Sequence, residues 1–263
     1  MSDVVQYEVD GGIATITLNR PDSLNALNQE ISHAFTDALT RAGEDKAVRV
    51  VLVTAEGKGF SSGADLADVE SKMDAGERFV PSDILRDRYH RFVHAIVDME
   101  KPVIAAVNGV AAGAGASIAL ACDFRIASDK ARFFQAFIKI GLIPDSGANY
   151  FLPHLVGYAK ALELAMLGDI IDAQTALEIG LVHRVVPHDD LMKEARAFAE
   201  QFASGPTRAY GLTKKSMRYG ATHGLAETLE YEADLQDQAA FTHDATEGIK
   251  AFREKRAPNF EGR

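Results

Sequence analysis

Cysteine is almost missing from this chain, since Cys122 is the only one among 263 residues. An internal disulfide is therefore impossible, and the small disulfide-rich scaffolds of secreted proteins are excluded. The segment from Met1 to Asp10 has neither the basic nor the apolar block of a signal peptide. We therefore expect a cytoplasmic protein.

Basic residues are in the minority. The chain has 28 Lys and Arg against 38 Asp and Glu, which gives a formal net charge of -10. This balance opposes long-range attraction to nucleic acid or to an anionic membrane, so we expect neither as a partner. Hydrophobic residues make up 47% and charged residues 25%, a globular composition that argues against disorder.

Only one stretch, Val103 to Cys122, is free of charge over a length that could span a membrane. Asn108 and several glycines interrupt it, and Val103 to Val107 has the pattern of a buried strand followed by a turn. We therefore expect this stretch to belong to a folded core.

Short β-rich runs alternate with amphipathic segments in the first half of the chain. Apolar residues recur at helical spacing from Asn28 to Ala42 and from Ile84 to Met99. Strands separated by helices predict an α/β fold. The expected strands are 4–9, 13–18, 48–54, 103–107 and 124–127.

The second half is mostly helical. After Asp145 the only expected strand is Val182 to Val186, and glycines divide the remainder into consecutive helices. No internal repeat or low-complexity linker is present. We expect an α/β core over residues 1–200 and a helical region over residues 201–263, which packs on its own core or on a neighbouring subunit.

Two glycine-rich turns are candidates for carrying chemistry. The first, Gly59 to Gly63, matches the GxSxG elbow of serine hydrolases. Residues 55–58 separate it from the preceding strand, whereas an elbow serine lies directly on a strand-to-helix turn. A nucleophilic Ser61 is therefore the weaker interpretation.

The second turn, Gly109 to Ala116, follows a strand, as a dinucleotide-binding turn does. Ile118 stands where that fingerprint needs its last glycine, and no ribose-binding acid lies at the right distance. Small residues at a helix start can instead aim unpaired NH groups at a ligand. Two such turns facing one another would form an oxyanion hole.

These turns resemble the crotonase family, also called enoyl-CoA hydratase/isomerase. Lys58 to Leu66 (KGFSSGADL) and Ala106 to Gly115 (AVNGVAAGAG) carry the likeness, and Asn19 to Leu27 and Glu247 to Arg256 extend it over essentially the whole chain. The resemblance implies a spiral of ββα units with a C-terminal helical region that assembles trimers, often paired into hexamers. We expect no permanently bound cofactor, because coenzyme A arrives as part of the substrate.

The resemblance also assigns an oxyanion hole. In that family the residues matching Ala64 and Ala114 donate their backbone NH groups to the thioester oxygen. Removing a proton beside a thioester places negative charge on that oxygen, and preorganised donors stabilise the charge more than the neutral substrate.

A coenzyme A site is implied by the same likeness. Two of its residues, Phe252 and Lys255, would come from an adjacent subunit, although an exposed basic helix end is an equal alternative for Lys255. The others are Arg20, Ala26, Leu27, Ser62, Ala64, Asp65 and Leu66.

The reaction depends on which proton-transfer groups are present. Hydratases of the family use two glutamates, whose positions here hold Ser117 and Phe137. Phenylalanine cannot transfer a proton and serine is a poor general base, so two-carboxylate hydration is not expected. Asp145 matches a position where some relatives carry a catalytic aspartate, and one carboxylate suffices for an isomerase. The likeness is greatest to the isomerase branch of the phenylacetate pathway, which acts on ring-epoxide CoA thioesters and unsaturated acyl-CoAs.

Several alternatives stay open. Pro144, Asp145 and Ser146 before an apolar helix also match an N-cap. A helix start would lower the pKa of Asp145, whereas neighbouring apolar groups would raise it. A scaffold without its glutamates could also bind acyl-CoA and leave it unchanged.

Histidines raise two further alternatives. His94 lies near the position of a histidine in the 4-chlorobenzoyl-CoA dehalogenase branch, but that branch's tryptophan is replaced by Phe137, and the chain has no tryptophan. His90 and His94 are one helical turn apart, a spacing that suits a metal, yet no third ligand is evident. We expect no metal, and we expect His94, Ser117 and Phe137 to line a substrate pocket built largely by residues 73–94.

Overall fold

The computed structural model describes residues 3–67, 70, 74, 78 and 80–263. Ten strands in this part of the chain form two sheets. The larger has the order β1-β2-β3-β5-β7-β10 and the smaller β4-β6-β8-β9. The bounds are β1 Val5–Asp10, β2 Ile13–Leu18, β3 Val50–Ala55, β4 Gly59–Ser61, β5 Val103–Val107, β6 Val110–Ala112, β7 Phe124–Ser128, β8 Arg132–Phe134, β9 Ile171–Asp172 and β10 Arg184–Val186.

From β3 to β8, successive strands alternate between the two sheets. Each strand of the large sheet is followed by a strand of the small one, and neighbouring strands within each sheet pair in parallel. A helix returns the chain to the large sheet after β6. The structure therefore confirms the spiral of ββα units that the resemblance implies.

Ten α-helices with defined bounds follow one another along the described residues, besides three short 3₁₀ helices. The second consists of three consecutive stretches, of which the middle one is π-helical. The bounds are α1 Gln29–Glu44; α2 Pro81–Ile84, Leu85–Tyr89 and His90–Val97; α3 Ala114–Ala121; α4 Ala148–Val156; α5 Tyr158–Leu167; α6 Ala173–Glu178; α7 Leu191–Ala203; α8 Thr207–Gly220; α9 Leu225–Ala240; and α10 His243–Glu254.

The large sheet separates two apolar layers. Every residue of β3 is buried, as expected for a parallel strand covered on both faces. Val51 and Val53 face the layer that contains α1, α2 and α3, whereas Val50 and Leu52 pack against α7 on the other side. The expected domain boundary at residue 200 therefore lies within a helix of the core.

Helix α8 is joined to this core by a partly buried ion-pair cluster. Asp123 accepts from Lys214 Nζ at 2.9 Å and from Arg218 at 3.2 Å. Helices α9 and α10 lie beyond this connection and carry many exposed apolar residues.

The charge-free stretch 103–122 forms β5, β6 and the eight-residue helix α3. Within the described ranges, no helix combines the length and apolar character needed to cross a membrane.

Candidate active site

The backbone around Ala64 is held by a short bridge to the segment at Leu27. Leu27 N donates to Gly63 O at 2.7 Å, and Asp65 N donates to Leu27 O at 3.4 Å. A parallel bridge of this kind uses the peptide groups that flank Ala64, so the NH of Ala64 itself points away from Leu27. Among the described residues it has no backbone acceptor.

The second glycine-rich turn lies directly against the first. Gly63 has a φ of +90°, and a Cβ atom at this position would lie 2.8 Å from Ala112 O and 3.3 Å from Ala114 N. Only glycine allows this approach together with this backbone angle. The contact brings together two segments that are far apart in the sequence.

Ala114 is the first residue of α3, after Gly113 with a φ of +50°. The earliest helical bond here runs from Ser117 N to Gly113 O at 3.0 Å, so the NH of Ala114 is one of the groups that a helix start leaves without an acceptor. Ala64 and Ala114 thus supply two NH groups from adjoining turns. Such a pair can stabilise an oxyanion.

The structure contradicts the serine-elbow interpretation of Ser61. This residue ends strand β4 rather than occupying a strand-to-helix turn, and it is fully buried. Its hydroxyl donates to Asn25 O at 2.9 Å and accepts from Gly63 N at 3.2 Å. Ser61 therefore supports the turn that contains Ala64.

The N-cap interpretation of Asp145 is also wrong. Helix α4 begins at Ala148, its N-cap is Gly147, and no side chain caps it. Asp145 lies in the preceding loop, where its carboxylate Oδ1 accepts from Ser146 Oγ at 2.8 Å. Burial raises the pKa of Asp145 above its usual value, and the hydrogen bond from Ser146 partly offsets this rise.

Ser117 and Phe137 both lie beside these groups. Ser117 is fully buried on α3, and its hydroxyl is 3.1 Å from Asp145 O. The Phe137 ring packs over Gly113, because a Cβ atom on that glycine would lie 3.5 Å from the ring. The structure therefore gathers Ala64, Ala114, Ser117, Phe137 and Asp145 at the start of α3.

The residues that the resemblance assigns to coenzyme A lie mainly around the same bridge. Arg20 Nη1 donates to Ala26 O at 2.6 Å and to Asp65 Oδ2 at 3.0 Å, while Ser62 N donates to Leu24 O at 2.9 Å. Leu66 is half exposed. The group of residues beside Ala64 therefore includes Arg20, Ala26, Leu27, Ser62, Asp65 and Leu66, of which Ala26 and Leu27 are buried.

Three further predicted residues lie outside this cluster. Phe252 is 86% exposed, and Lys255 follows α10 with a φ of +55°. Both were expected to act from an adjacent subunit. His94 lies on α2 with an exposed side chain that pairs with Asp98 at 3.4 Å, so its role in the pocket stays a prediction.

The acyl pocket is expected to be built largely by residues 73–94. Of this segment, residues 73, 75–77 and 79 lie outside the described residues. In the part of the chain that is described, no three metal-ligating side chains gather.

Sequence reasoning missed several residues that shape the site. Asn25 is fully buried with a φ of +57°; its side chain accepts from Arg20 N at 2.7 Å and donates to Gly59 O at 2.8 Å. Tyr89, on the π-helical stretch, donates to Leu27 O at 3.1 Å. Asn25 lies within the motif that resembles the family, and asparagine is enriched at such backbone angles, so a signal was present. Tyr89 had no comparable signal.

Known proteins share both the sequence and the fold. The model of the enoyl-CoA hydratase/isomerase family matches residues 8–263. A Rhodobacter capsulatus protein named "Probable enoyl-CoA hydratase" is 42% identical over 259 residues, with 98% of each chain covered. The 1,2-epoxyphenylacetyl-CoA isomerase of Escherichia coli is 38% identical, with 100% of each chain covered.

Solved structures agree with this assignment. The enoyl-CoA hydratase of Bacillus anthracis superposes with a TM-score of 0.91 at 34% identity, and the match covers 99% of this chain and 100% of that one. The agreement extends over both sheets and the C-terminal helices. The chain therefore belongs to the enoyl-CoA hydratase/isomerase family, and its fold is that of the crotonases.

Proposed function

We propose that this protein is an acyl-CoA isomerase that shifts a double bond, converting 3-enoyl-CoA into 2-enoyl-CoA or rearranging a ring-epoxide CoA thioester. The observation that carries this proposal is the set of groups at the start of α3. One partly buried carboxylate, Asp145, lies near the start of α3, beside the turns that carry the NH groups of Ala64 and Ala114. The resemblance assigns Ser117 and Phe137 to the positions of the two hydratase glutamates. Isomerisation needs only one proton carrier.

The double-bond shift conserves every atom of the substrate. Asp145 removes a proton from C2, and the electrons of that bond form a C1–C2 double bond while the thioester oxygen becomes an oxyanion. The NH groups of Ala64 and Ala114 stabilise this dienolate. Asp145 then returns the proton to C4, which restores the thioester carbonyl and leaves the double bond between C2 and C3.

The environment of Asp145 suits a group that must both accept and release a proton. Burial raises the pKa of its carboxyl group, which makes the carboxylate a stronger base than an exposed aspartate. A general acid–base catalyst works best when its pKa approaches the working pH. The partial burial of Asp145 therefore supports the proton-carrier role.

The ring-epoxide form of the proposal rests on a relative. The E. coli protein with 38% identity is named 1,2-epoxyphenylacetyl-CoA isomerase. Both candidate substrates are CoA thioesters that rearrange without gaining water. A screen of the purified protein with both classes would choose between them.

Asp145→Asn tests the proposal. We expect turnover of 3-enoyl-CoA, followed by the absorbance of the conjugated product, to fall by about 10²- to 10⁴-fold. Acyl-CoA affinity, measured by calorimetry, should change little. The exposed Asp190 on the opposite layer offers a control, since Asp190→Asn should keep full turnover. Unchanged turnover in Asp145→Asn would eliminate Asp145 as the base.

A second candidate is enoyl-CoA hydration. It is favoured by the name of the Rhodobacter capsulatus relative, which is 42% identical. Hydration removes the conjugated double bond and incorporates oxygen from H₂¹⁸O, whereas isomerisation incorporates none.

Binding without any turnover would instead identify an acyl-CoA binding protein, and chloride release from 4-chlorobenzoyl-CoA would identify a dehalogenase.

We further propose that the chain forms a homotrimer or a dimer of trimers and that Phe252 and Lys255 reach the coenzyme A of an adjacent subunit. The 86% exposure of Phe252 supports this, because its ring is free to contact a neighbouring subunit. A cytoplasmic location also stays a prediction.

A further inference from the structure

We propose that Ser146 and Ser117 act as positioning residues, which hold Asp145 in one orientation and present its Oδ2 atom to the substrate proton. This inference rests on the proposed function. It concerns two serines that have no proton-transfer role of their own in that mechanism.

Asp145 needs external support because it lies in an irregular loop. The loop begins after a 3₁₀ helix at Ala136–Ile140 and ends at α4. Gly141, Ser146 and Gly147 in this loop all have positive φ values. Asp145 belongs to no helix or strand. Its carbonyl oxygen accepts from Ala148 N at 2.9 Å in the turn that leads into α4, so its position relative to α3 depends on further contacts of its own atoms.

Ser117 fixes the main chain of Asp145. Its buried hydroxyl lies 3.1 Å from Asp145 O and 3.2 Å from Gly113 O, and its single proton is shared between these two carbonyl groups. Ser117 lies on the helix that begins with Ala114. The contact therefore sets the position of the aspartate relative to one of the two oxyanion donors.

Ser146 fixes the side chain. Its hydroxyl donates to Asp145 Oδ1 at 2.8 Å, and the residue is 2% exposed. Its φ of +52° lies in the left-handed region, which glycine adopts more easily than serine. A serine here is disfavoured by its backbone angle, so the hydrogen bond supplies a reason for its presence.

The two contacts act on different atoms and have different consequences. The Ser146 bond engages Oδ1 and weakens it as a base, so Oδ2 is the more basic oxygen for the substrate proton. It also stabilises the charged carboxylate and thus lowers the pKa of Asp145 against the effect of burial. The Ser117 bond reaches a neutral carbonyl group and has no comparable effect on ionisation.

Ser146→Gly and Ser146→Ala test the side-chain contact. Both remove the hydroxyl, but only glycine relieves the positive φ, so an effect common to both belongs to the hydroxyl. We expect kcat to fall by about 10- to 100-fold with little change in KM, because the base is misaligned. The acidic limb of the pH profile should move to higher pH. Ser204→Ala, which removes an exposed hydroxyl bonded to Glu200 O, should match the wild type.

Ser117→Ala tests the main-chain contact. We expect a similar fall in kcat without any movement of the acidic limb. Wild-type kcat and pH profiles in both Ser146 variants and in Ser117→Ala would overturn the proposal. Circular dichroism would show whether the alanine variants fold. If they do not, the kcat and pH profile of Ser146→Gly, which tolerates the positive φ, decide the result.

An NMR titration separates this inference from the proposed function. The carboxyl ¹³C signal of Asp145 should titrate at higher pH in Ser146→Gly than in the wild type, whichever reaction the enzyme catalyses. If isomerase activity is absent but the titration shifts upward, the proposed function fails and the carboxylate contact stands. An unchanged titration overturns the contact even if isomerase activity is present.

Discussion

At the scale of single residues, Gly63 is the position where the two glycine-rich turns meet. Its φ of +90° and its closeness to Ala112 O and Ala114 N leave no room for a side chain. The two turns can therefore approach each other only because residue 63 is a glycine.

We predict that Gly63→Ala separates these NH groups. Loss of one oxyanion donor typically lowers kcat by about 10²- to 10³-fold, and a comparable fall is expected here. Gly157→Ala is the matched control, since Gly157 has a φ of +76° with no atom within 4 Å of an added Cβ. It should lower the melting temperature through backbone strain but retain turnover. Equal kcat values in the two variants would contradict the prediction.

The ionised carboxylate of Asp145, which the proposed activity needs, lowers the stability of the fold. Its folded-state pKa is raised, so its contribution to stability is fully present below the unfolded-state pKa and is lost as the pH rises through the folded-state pKa. At neutral pH the ionised carboxylate therefore costs stability.

We predict that Asp145→Asn melts at a higher temperature than the wild type at pH 7, although it is less active. The difference should shrink in acid, where the wild-type carboxyl group is protonated. Melting curves by differential scanning calorimetry across this pH range check the prediction. A lower melting temperature at pH 7 would show that the ionised carboxylate stabilises the fold.

At the scale of elements, Arg125 joins the end of α3 to the chain that leads into β10. It is fully buried on β7, where its guanidinium donates to Cys122 O at 2.6 Å and to Leu181 O at 2.7 Å. The bond to Cys122 O satisfies a carbonyl group at the end of α3, where helical partners are missing. The backbone NH of Arg125 also donates to His183 Nδ1 at 3.2 Å.

We predict that Arg125→Met lowers the free energy of unfolding by about 3 kcal/mol or more, because buried carbonyl groups lose their donors. Chemical denaturation provides the measurement. Arg196, whose exposed side chain pairs with Asp10 and Glu200, is the matched control. Arg196→Met should cost no more than about 1 kcal/mol, as is usual for a surface ion pair. If both variants lose a similar free energy of unfolding, the buried contacts of Arg125 contribute no more to stability than a surface ion pair.

The strands of the small sheet could not be predicted from the sequence pattern. Strands β4, β6, β8 and β9 have two or three residues each, which is too short for an alternating pattern to emerge. The large sheet places β4, β6 and β8, because each of these three follows a longer strand that the sequence predicts close to its observed position, whereas β9 follows two helices. The helix from Asn28 was likewise predicted well, since Asn28 caps α1 through Ile31 N.

At the scale of the whole molecule, the C-terminal helices leave apolar side chains in water. Leu225 is 76% exposed, Phe241 88% and Phe252 86%. Exposed groups of this size commonly mark a protein interface. Helix α8, by contrast, is held to the core through Asp123.

We predict that Phe241→Ser and Phe252→Ser weaken assembly while leaving the α/β core folded. Light scattering after size-exclusion chromatography should give a trimer or hexamer for the wild type and smaller species for the variants at low concentration. Tyr158→Ser, a change at an exposed aromatic residue on α5, tests whether the effect is specific to the C-terminal helices. A monomeric wild type would refute the predicted assembly.

The amino-acid sequence by itself determined the motifs and therefore the family, and it determined the alternation of strands and helices. These properties depend on residue type and on spacing along the chain. That Ser117 and Phe137 stand at the positions of the hydratase glutamates stays a prediction from the resemblance. The tertiary structure alone decided that Gly63 touches Ala114 N, that Ser117 holds Asp145, and that Asp145 does not cap a helix. Each of these depends on distances between residues remote in sequence or on a local backbone angle, and burial, which also sets the pKa of Asp145, exists only once the chain has folded.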